Sequence, residues 1–492
     1  MTRLSPILGV GLVCLLAMPA CRKTDASVVY DAELQALIAD LGLDGDPVDG
    51  RLIPAISDPL SQLGRDLFFS RSLGGNFTAA CASCHHPNLG GGDALSLPIG
   101  VDAIDPLVLG PGRAHDPGAT HFDGGPTVPR NSPTTFNLAL WSDTLFWDGR
   151  IQTVPGGITT PDGTDLATPD PLAGASLASA QARFPVTSAE EMRSHAFEAG
   201  QDNTTLRDHL RARLGNFGVG TGEVAEDWLT RFRTVFSDPV APADQVVTFE
   251  RVAEAIASYE NSQVFVDSPW SRYVQGDEDA IGESARRGAI LFLRQPAAGG
   301  FGCVSCHSGD FFTDEGFHAV GFPQIGRGKG DLNRLGGTDG DLGRARETGA
   351  FADRFAFRTP SLLNVEVTGP WGHAGAFTTL EDTVRYHLDP AAGFAAYDPG
   401  VLVPGMQLDG LLVNTQEALE HLLLMQVQGD SLLPRDLVFG EQQVADLVAF
   451  LRSLTDPRVK DPAEMEPWIP RAGGAFDDSQ RLDAKRADQS AL

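Results

Sequence analysis

The chain has 492 residues and a formal net charge of −28, and both numbers exclude something. The length exceeds what one hydrophobic core serves, so two domains are expected. The acidic balance excludes a nucleic-acid binder and suits either plain solubility or the steering of a basic partner.

Met1 to Cys21 reads as an export signal: Arg3 carries the charge, Ile7 to Ala17 the apolar core, and Met18-Pro19-Ala20-Cys21 the cleavage region. That core is too short to span a bilayer, and no other stretch is apolar enough to do so. Cys21, followed by Arg22-Lys23-Thr24-Asp25, resembles a lipoprotein acylation site and would tether the chain to a membrane face; the plain alternative is secretion. Residues 22–52 are polar with one helical patch, Leu34 to Leu43, and read as a tether or wrap-around arm. The first clear helix runs from Asp58 to Phe69, with Leu60, Leu63, Gly64, Leu67 and Phe68 on one face.

Six cysteines are present, and four of them form two copies of one pattern: Cys81-Ala82-Ser83-Cys84-His85 and Cys303-Val304-Ser305-Cys306-His307. C-x-x-C-H is the covalent attachment signature of c-type haem. Its thiols add to the haem vinyl groups, and the histidine is carried under the iron as proximal ligand. Four thiolates can instead cage one zinc ion. A histidine after each pair, and a separation of about two hundred residues, speak against ribbon spacing. Two covalent c-type haems are expected.

Ala285, Gly288, Ala289 and Phe292 make a helical face before a Gly-rich turn and Cys303, which repeats the arrangement around Cys81. The expected fold class is therefore all-α, with two tandem cytochrome c-like domains and long Gly/Pro-rich loops. Leu89 to Arg130 and Gln152 to Gln181 are such loops. Helices are expected over Ser188 to Ala199, Thr205 to Leu214 and Glu223 to Phe236. Residues 236–242, Phe-Ser-Asp-Pro-Val-Ala-Pro, read as the linker, after which Val252, Ala255, Ile256 and Tyr259 open the second module. A helix starts near Thr379, and a last one spans Gln442 to Leu454, ended by Asp456-Pro457. The domain reading is export signal 1–21, arm 22–52, N-terminal domain 53–238, C-terminal domain 239–470, and a polar tail 471–492 expected to be disordered.

Several strings occur in the order found in one family. They are Leu63-Gly64-Arg65-Asp66-Leu67-Phe68-Phe69, Pro87-Asn88-Leu89-Gly90-Gly91, Pro129-Arg130-Asn131-Ser132-Pro133-Thr134, Phe146-Trp147-Asp148-Gly149-Arg150 and Phe357-Arg358-Thr359-Pro360-Ser361-Leu362-Leu363-Asn364-Val365. Over roughly residues 53 to 460 the chain resembles bacterial dihaem cytochrome c peroxidases, a superfamily that includes the MauG-like oxidases of partner proteins. The resemblance implies a peroxidatic N-terminal haem on His85 and an electron-transfer haem on Cys303, Cys306 and His307. It implies that Glu191 is the distal acid, that Trp147 relays electrons, and that Asn131 and the carbonyls of Pro360 and Arg358 hold calcium. Glu191 is also placed to cap a helix as part of Ser188-x-x-Glu191.

Two departures from the family pattern stand out. Where a histidine would cap the N-terminal iron the chain has Val101, with His115 and His121 in the following loop. For the far ligand of the second haem, the helix from Thr379 puts His387 on one face with Leu380, Thr383 and Val384, and Tyr386 about 100° away; His373 is the fallback. A bis-histidine iron has lower potential than a histidine–methionine one. The expected function is a periplasmic dihaem oxidoreductase acting on hydrogen peroxide, leaning toward MauG-like oxidation of a partner protein. Its partner would be a small cytochrome, a cupredoxin or a protein substrate, and the protein itself a homodimer as in relatives. The other class of reading is a non-catalytic electron-transfer cytochrome.

Overall fold

The computed structural model describes residues 25–329, 340–471 and 476–492, together with Met1 and Gly473. Cys21 and the rest of the expected export signal lie outside the described residues. Regular structure is mostly helical, and the longer helices are α1 (Asp25–Leu41), α2 (Pro59–Phe68), α3 (Asn203–Gly215), α4 (Trp228–Val235), α5 (Phe249–Asn261), α6 (Glu283–Leu293), α7 (Leu380–Leu388), α8 (Leu411–Gln428) and α9 (Glu441–Ser453). Five short strands accompany the helices among the described residues and leave the structure mostly helical, as the all-α expectation has it. β1 (Thr144–Leu145), β2 (Ile151–Val154) and β3 (Gly157–Thr159) form an antiparallel meander, and β4 (Phe317–Ala319) pairs antiparallel with β5 (Ala356–Arg358). Among the described residues no helix is long and apolar enough to cross a membrane.

Each half closes on one tight helix crossing. A β-carbon on Gly64 of α2 would lie 1.8 Å from Ala255 O and 2.9 Å from Tyr259 Cβ of α5. A β-carbon on Gly288 of α6 would lie 1.9 Å from Asp446 O and 2.9 Å from Phe450 Cβ of α9. Backbone contact of this kind admits only glycine. Around the first crossing Leu63, Leu67, Phe68, Val252, Ile256 and Tyr259 are buried together; around the second, Ala289, Phe292, Val444, Leu447 and Phe450.

These two cores correct the expected domain boundary. Helix α5, read from the sequence as opening the second module, closes the first. The passage between cores falls at residues 262–268, not 236–242. Its Phe265 is gripped from both sides, with its carbonyl accepting from Asn137 Nδ2 (3.2 Å) and Asn364 Nδ2 (2.9 Å). Those asparagines end matching segments, Pro133 to Asn137 and Pro360 to Asn364, and both sit at positive φ, 62° and 63°. The internal repeat therefore extends beyond the cysteine motifs.

The arm belongs to the second core: Leu34 and Ile38 of α1 are buried in it, and Asp31 pairs with Arg286 at 3.0 Å and Glu33 with Arg294. Residues 476–492 of the tail, expected to be disordered, pack against the first half. Leu482 is buried in the first core, Leu482 N donates to Phe69 O (2.8 Å), and Leu109 N donates to Lys485 O (3.0 Å). Two helix expectations also change. Residues 188–199 hold only one wide π-type turn, Ala189–Arg193, and α8 was not anticipated.

Candidate haem sites

Both C-x-x-C-H motifs fold alike. Each cysteine pair spans one tight turn, and the histidine N–H donates to the carbonyl of the first cysteine: His85 to Cys81 O at 3.1 Å, His307 to Cys303 O at 2.9 Å. In both, Nδ1 meets a backbone carbonyl at 3.2 Å, Gly91 for His85 and Phe312 for His307. A proline carbonyl stands near each ring as well, Pro133 by His85 and Pro360 by His307. Carbonyls at Nδ1 keep the proton there and leave the Nε2 lone pair free, the arrangement of a metal-ligating histidine. Burial keeps both rings neutral, pushing His307 down to about 4 and lowering His85.

One continuous cavity is lined by both motifs. Two cysteine pairs, two histidines with free Nε2 atoms and this void fit two haems. A shared zinc cage does not fit. Among the described residues the one group of metal-type ligands within reach of a single ion is Cys306, Asp314 and His318.

His387 lines the cavity with Leu380, Thr383 and Val384, as the helical period predicts. Its Nδ1 contacts Thr383 O at 2.8 Å, again freeing Nε2, and it stands close enough to disfavour charge on His307. Tyr386 turns away to donate to Gly321 O. The fallback His373 also lines the cavity but stacks on Phe357 at 3.7 Å, with Nε2 3.2 Å from Gln324 Nε2. Neither His115 nor His121 reaches the cavity: His115 bonds Asp116 O and packs on Phe122, and His121 stacks on His195.

Glu191 lies both at the Ser188 cap and on the cavity wall. Its backbone N–H donates to the Ser188 hydroxyl at 3.3 Å, and its carboxyl lines the cavity. Burial raises its pKa, against the opposing charges of Arg150 and Lys329. Pro98 to Val101, the place of the missing histidine, forms the wall behind it. Val101 N donates to Glu190 O (3.1 Å), and a β-carbon on Gly100 would lie 2.4 Å from Glu191 O.

Trp147 joins the halves, its indole N–H donating to Asn131 O (2.9 Å) and its carbonyl accepting from Arg358 N (2.9 Å). Beside it Arg130 bridges Asp148 (2.5 Å) and Asp341 (2.6 Å), an ion triad joining the two halves. The Asn131 amide Nδ2 donates to Pro370 O at 2.6 Å, and the Pro360 carbonyl faces His307.

Sequence reasoning passed over Met192, whose sulfur lies 3.9 Å from Cys81 Sγ, and the cavity-lining Lys329, Arg150 and Glu260. Only Glu260 left a local sign, four residues after Ile256 on the flank of the apolar face of α5. Burial alone pushes it up to about 8, and its Oε2 has no hydrogen-bond partner.

A family model described as di-haem cytochrome c peroxidase matches residues 59–279. The methylamine utilization protein MauG of Methylorubrum extorquens is 28% identical over 326 residues, 66% of this chain and 67% of its own. Cytochrome c551 peroxidase of Pseudomonas aeruginosa is 27% identical over 329 residues, 67% of this chain and 71% of its own. The crystal structure of the diheme peroxidase BthA from Burkholderia thailandensis superposes with a TM-score of 0.53 at 22% identity, covering 90% of this chain and 93% of that one, and so shares the fold. The family match over residues 59–279 and the relatives make the chain an enzyme of peroxidase-type haem redox chemistry, similar over that span to the di-haem cytochrome c peroxidases.

Proposed function

We propose that the chain is a periplasmic, export-signalled enzyme in which hydrogen peroxide reacts beside Glu191 at a haem covalently held by Cys81, Cys84 and His85. Cys303, Cys306, His307 and His387 would hold a second covalent haem, which would supply the iron for electron transfer. Bound haems supply the redox-active irons. The chain's own residues do the rest.

The observation that carries this reading is the asymmetry between the two histidines. His387 stands against His307, whereas no second histidine of the cavity wall bears on His85. The carboxylate whose charge reaches both thiols of the first motif is Glu191. A buried carboxyl with a raised pKa can take a proton from one peroxide oxygen and return it to the other. Reduction of one peroxide to two waters consumes two electrons and two protons, and Trp147, bonded to both halves, is the candidate electron path. The absence of a capping histidine at Val101 and of an axial methionine favours oxidation of a partner protein, as in the MauG-like branch, over simple detoxification. Calcium enters none of these roles.

The optical spectrum of the oxidised protein at room temperature tests the reading. One high-spin and one low-spin iron are expected, and the high-spin bands should respond to added peroxide. Two low-spin irons indifferent to peroxide would leave an electron-transfer cytochrome. Rapid peroxide turnover with a reduced small cytochrome or cupredoxin would move the assignment from protein oxidase to detoxifying peroxidase.

A further inference from the structure

We infer that Arg358 is a carboxylate-binding residue that holds a propionate of the second haem at the junction of the two halves. The inference rests on the assignment of that haem to Cys303, Cys306 and His307.

Arg358 ends β5 and occupies the place in the second repeat that Asn131 occupies in the first. Two residues later the Pro360 carbonyl stands beside His307. The side chain crosses to the N-terminal half, with its guanidinium carbon 3.5 Å from the centre of the Trp141 ring and Nη1 donating to Thr144 O at 3.2 Å. Trp141 in turn packs on Phe311 at 5.1 Å, close to the second motif. Arg358 is 6% exposed and lines the cavity, yet its Nε has no partner.

No carboxylate of the described residues forms an ion pair with it. The two acids that act on it at a distance, Glu315 and Asp148, are already engaged. Glu315 accepts from the backbone N–H groups of Ser142 and Asp143, and Asp148 pairs with Arg130 and Arg150. Arg130, on the same cavity, shows the contrast by bridging two aspartates. A guanidinium remains charged in proteins, and leaving that charge buried without a counter-charge is costly. Burial pushes Arg358 down to about 9.

The missing anion must enter with whatever fills the cavity. Hydrogen peroxide is uncharged at neutral pH, so it does not qualify. A haem brings two propionates, on the edge opposite the vinyl groups that the cysteines take. The planar guanidinium fork matches a carboxylate geometrically. Because Arg358 N donates to Trp147 O, the anchored propionate would lie beside the tryptophan joining the two halves.

Redox titration of the holoprotein with R358Q and R358K, followed in the low-spin bands, tests this. Loss of the cation leaves the propionate charge uncompensated and favours the oxidised iron. In R358Q the reduction equilibrium constant of the low-spin haem is expected to fall about tenfold, 59 mV for a one-electron couple. The high-spin haem should hold its potential, and R358K should recover most of the shift. An unchanged low-spin potential, or equal shifts at both haems, would overturn the proposal, as would a wild-type potential that tracks added chloride, which would mean a free anion. If R358Q does not accumulate, the propionate bending mode of R358K in resonance Raman decides: a displaced mode supports the contact and an unmoved one refutes it. Haem stoichiometry tests the underlying assignment separately, since one haem per wild-type chain would refute the second site itself.

Discussion

Glu191 stands at a cap and at the cavity at once. Its N–H closes the Ser188 cap, and its carboxyl is left to the cavity. Glu191→Gln keeps the cap and removes the proton carrier. It is expected to lower kcat by roughly 10²- to 10⁴-fold, with a smaller change in KM and unchanged resting spectra, as measured by steady-state peroxide kinetics. His387 was readable at this scale because a helix fixes the side on which each residue lies. His373 was not, since it sits on a loop where orientation comes from packing against Phe357 and Gln324.

At the scale of elements, Gly64 and Gly288 decide how closely two pairs of helices approach. An added methyl at either meets a backbone carbonyl that cannot step aside. Gly64→Ala and Gly288→Ala are each expected to cost about 1–3 kcal/mol in denaturant unfolding, through forced helix separation. Either variant matching the wild type would mean that the crossings are looser than drawn. The turn bearing Glu191 follows the same logic. The stretch from Ser188 reads as a helix by composition, but Gly75 N donates to Met192 O and Gly100 presses against Glu191, so the segment is held as one wide turn. Such π-type turns are common at functional sites. Within the long loop after the first motif, Arg113 ties separate turns together by donating to Ile99 O (2.7 Å), Gly100 O (2.9 Å) and Val108 O (2.9 Å).

At the scale of the whole molecule, a charge of −28 predicts that a basic partner is steered in. With a small basic cytochrome as donor, kcat/KM is expected to fall by at least tenfold as salt rises from low to molar concentrations, whereas an acidic donor should show no such fall. Stopped-flow oxidation of the donor at graded ionic strength measures this. Equal salt profiles for both donors would leave the charge a matter of solubility alone.

By itself the sequence determined the chemistry that needs only near neighbours. Two C-x-x-C-H motifs, the face of the helix carrying His387, and the glycine-marked helices are all written within one or two turns of chain, where spacing dictates geometry. Only the tertiary structure decided which core α5 belongs to, that the tail straps the first half, that Asn131 turns to Pro370, and that Arg358 lies buried without a counter-charge. Each of these depends on groups brought together from distant parts of the chain. Periodicity shows that a face will be buried, but not which partner buries it.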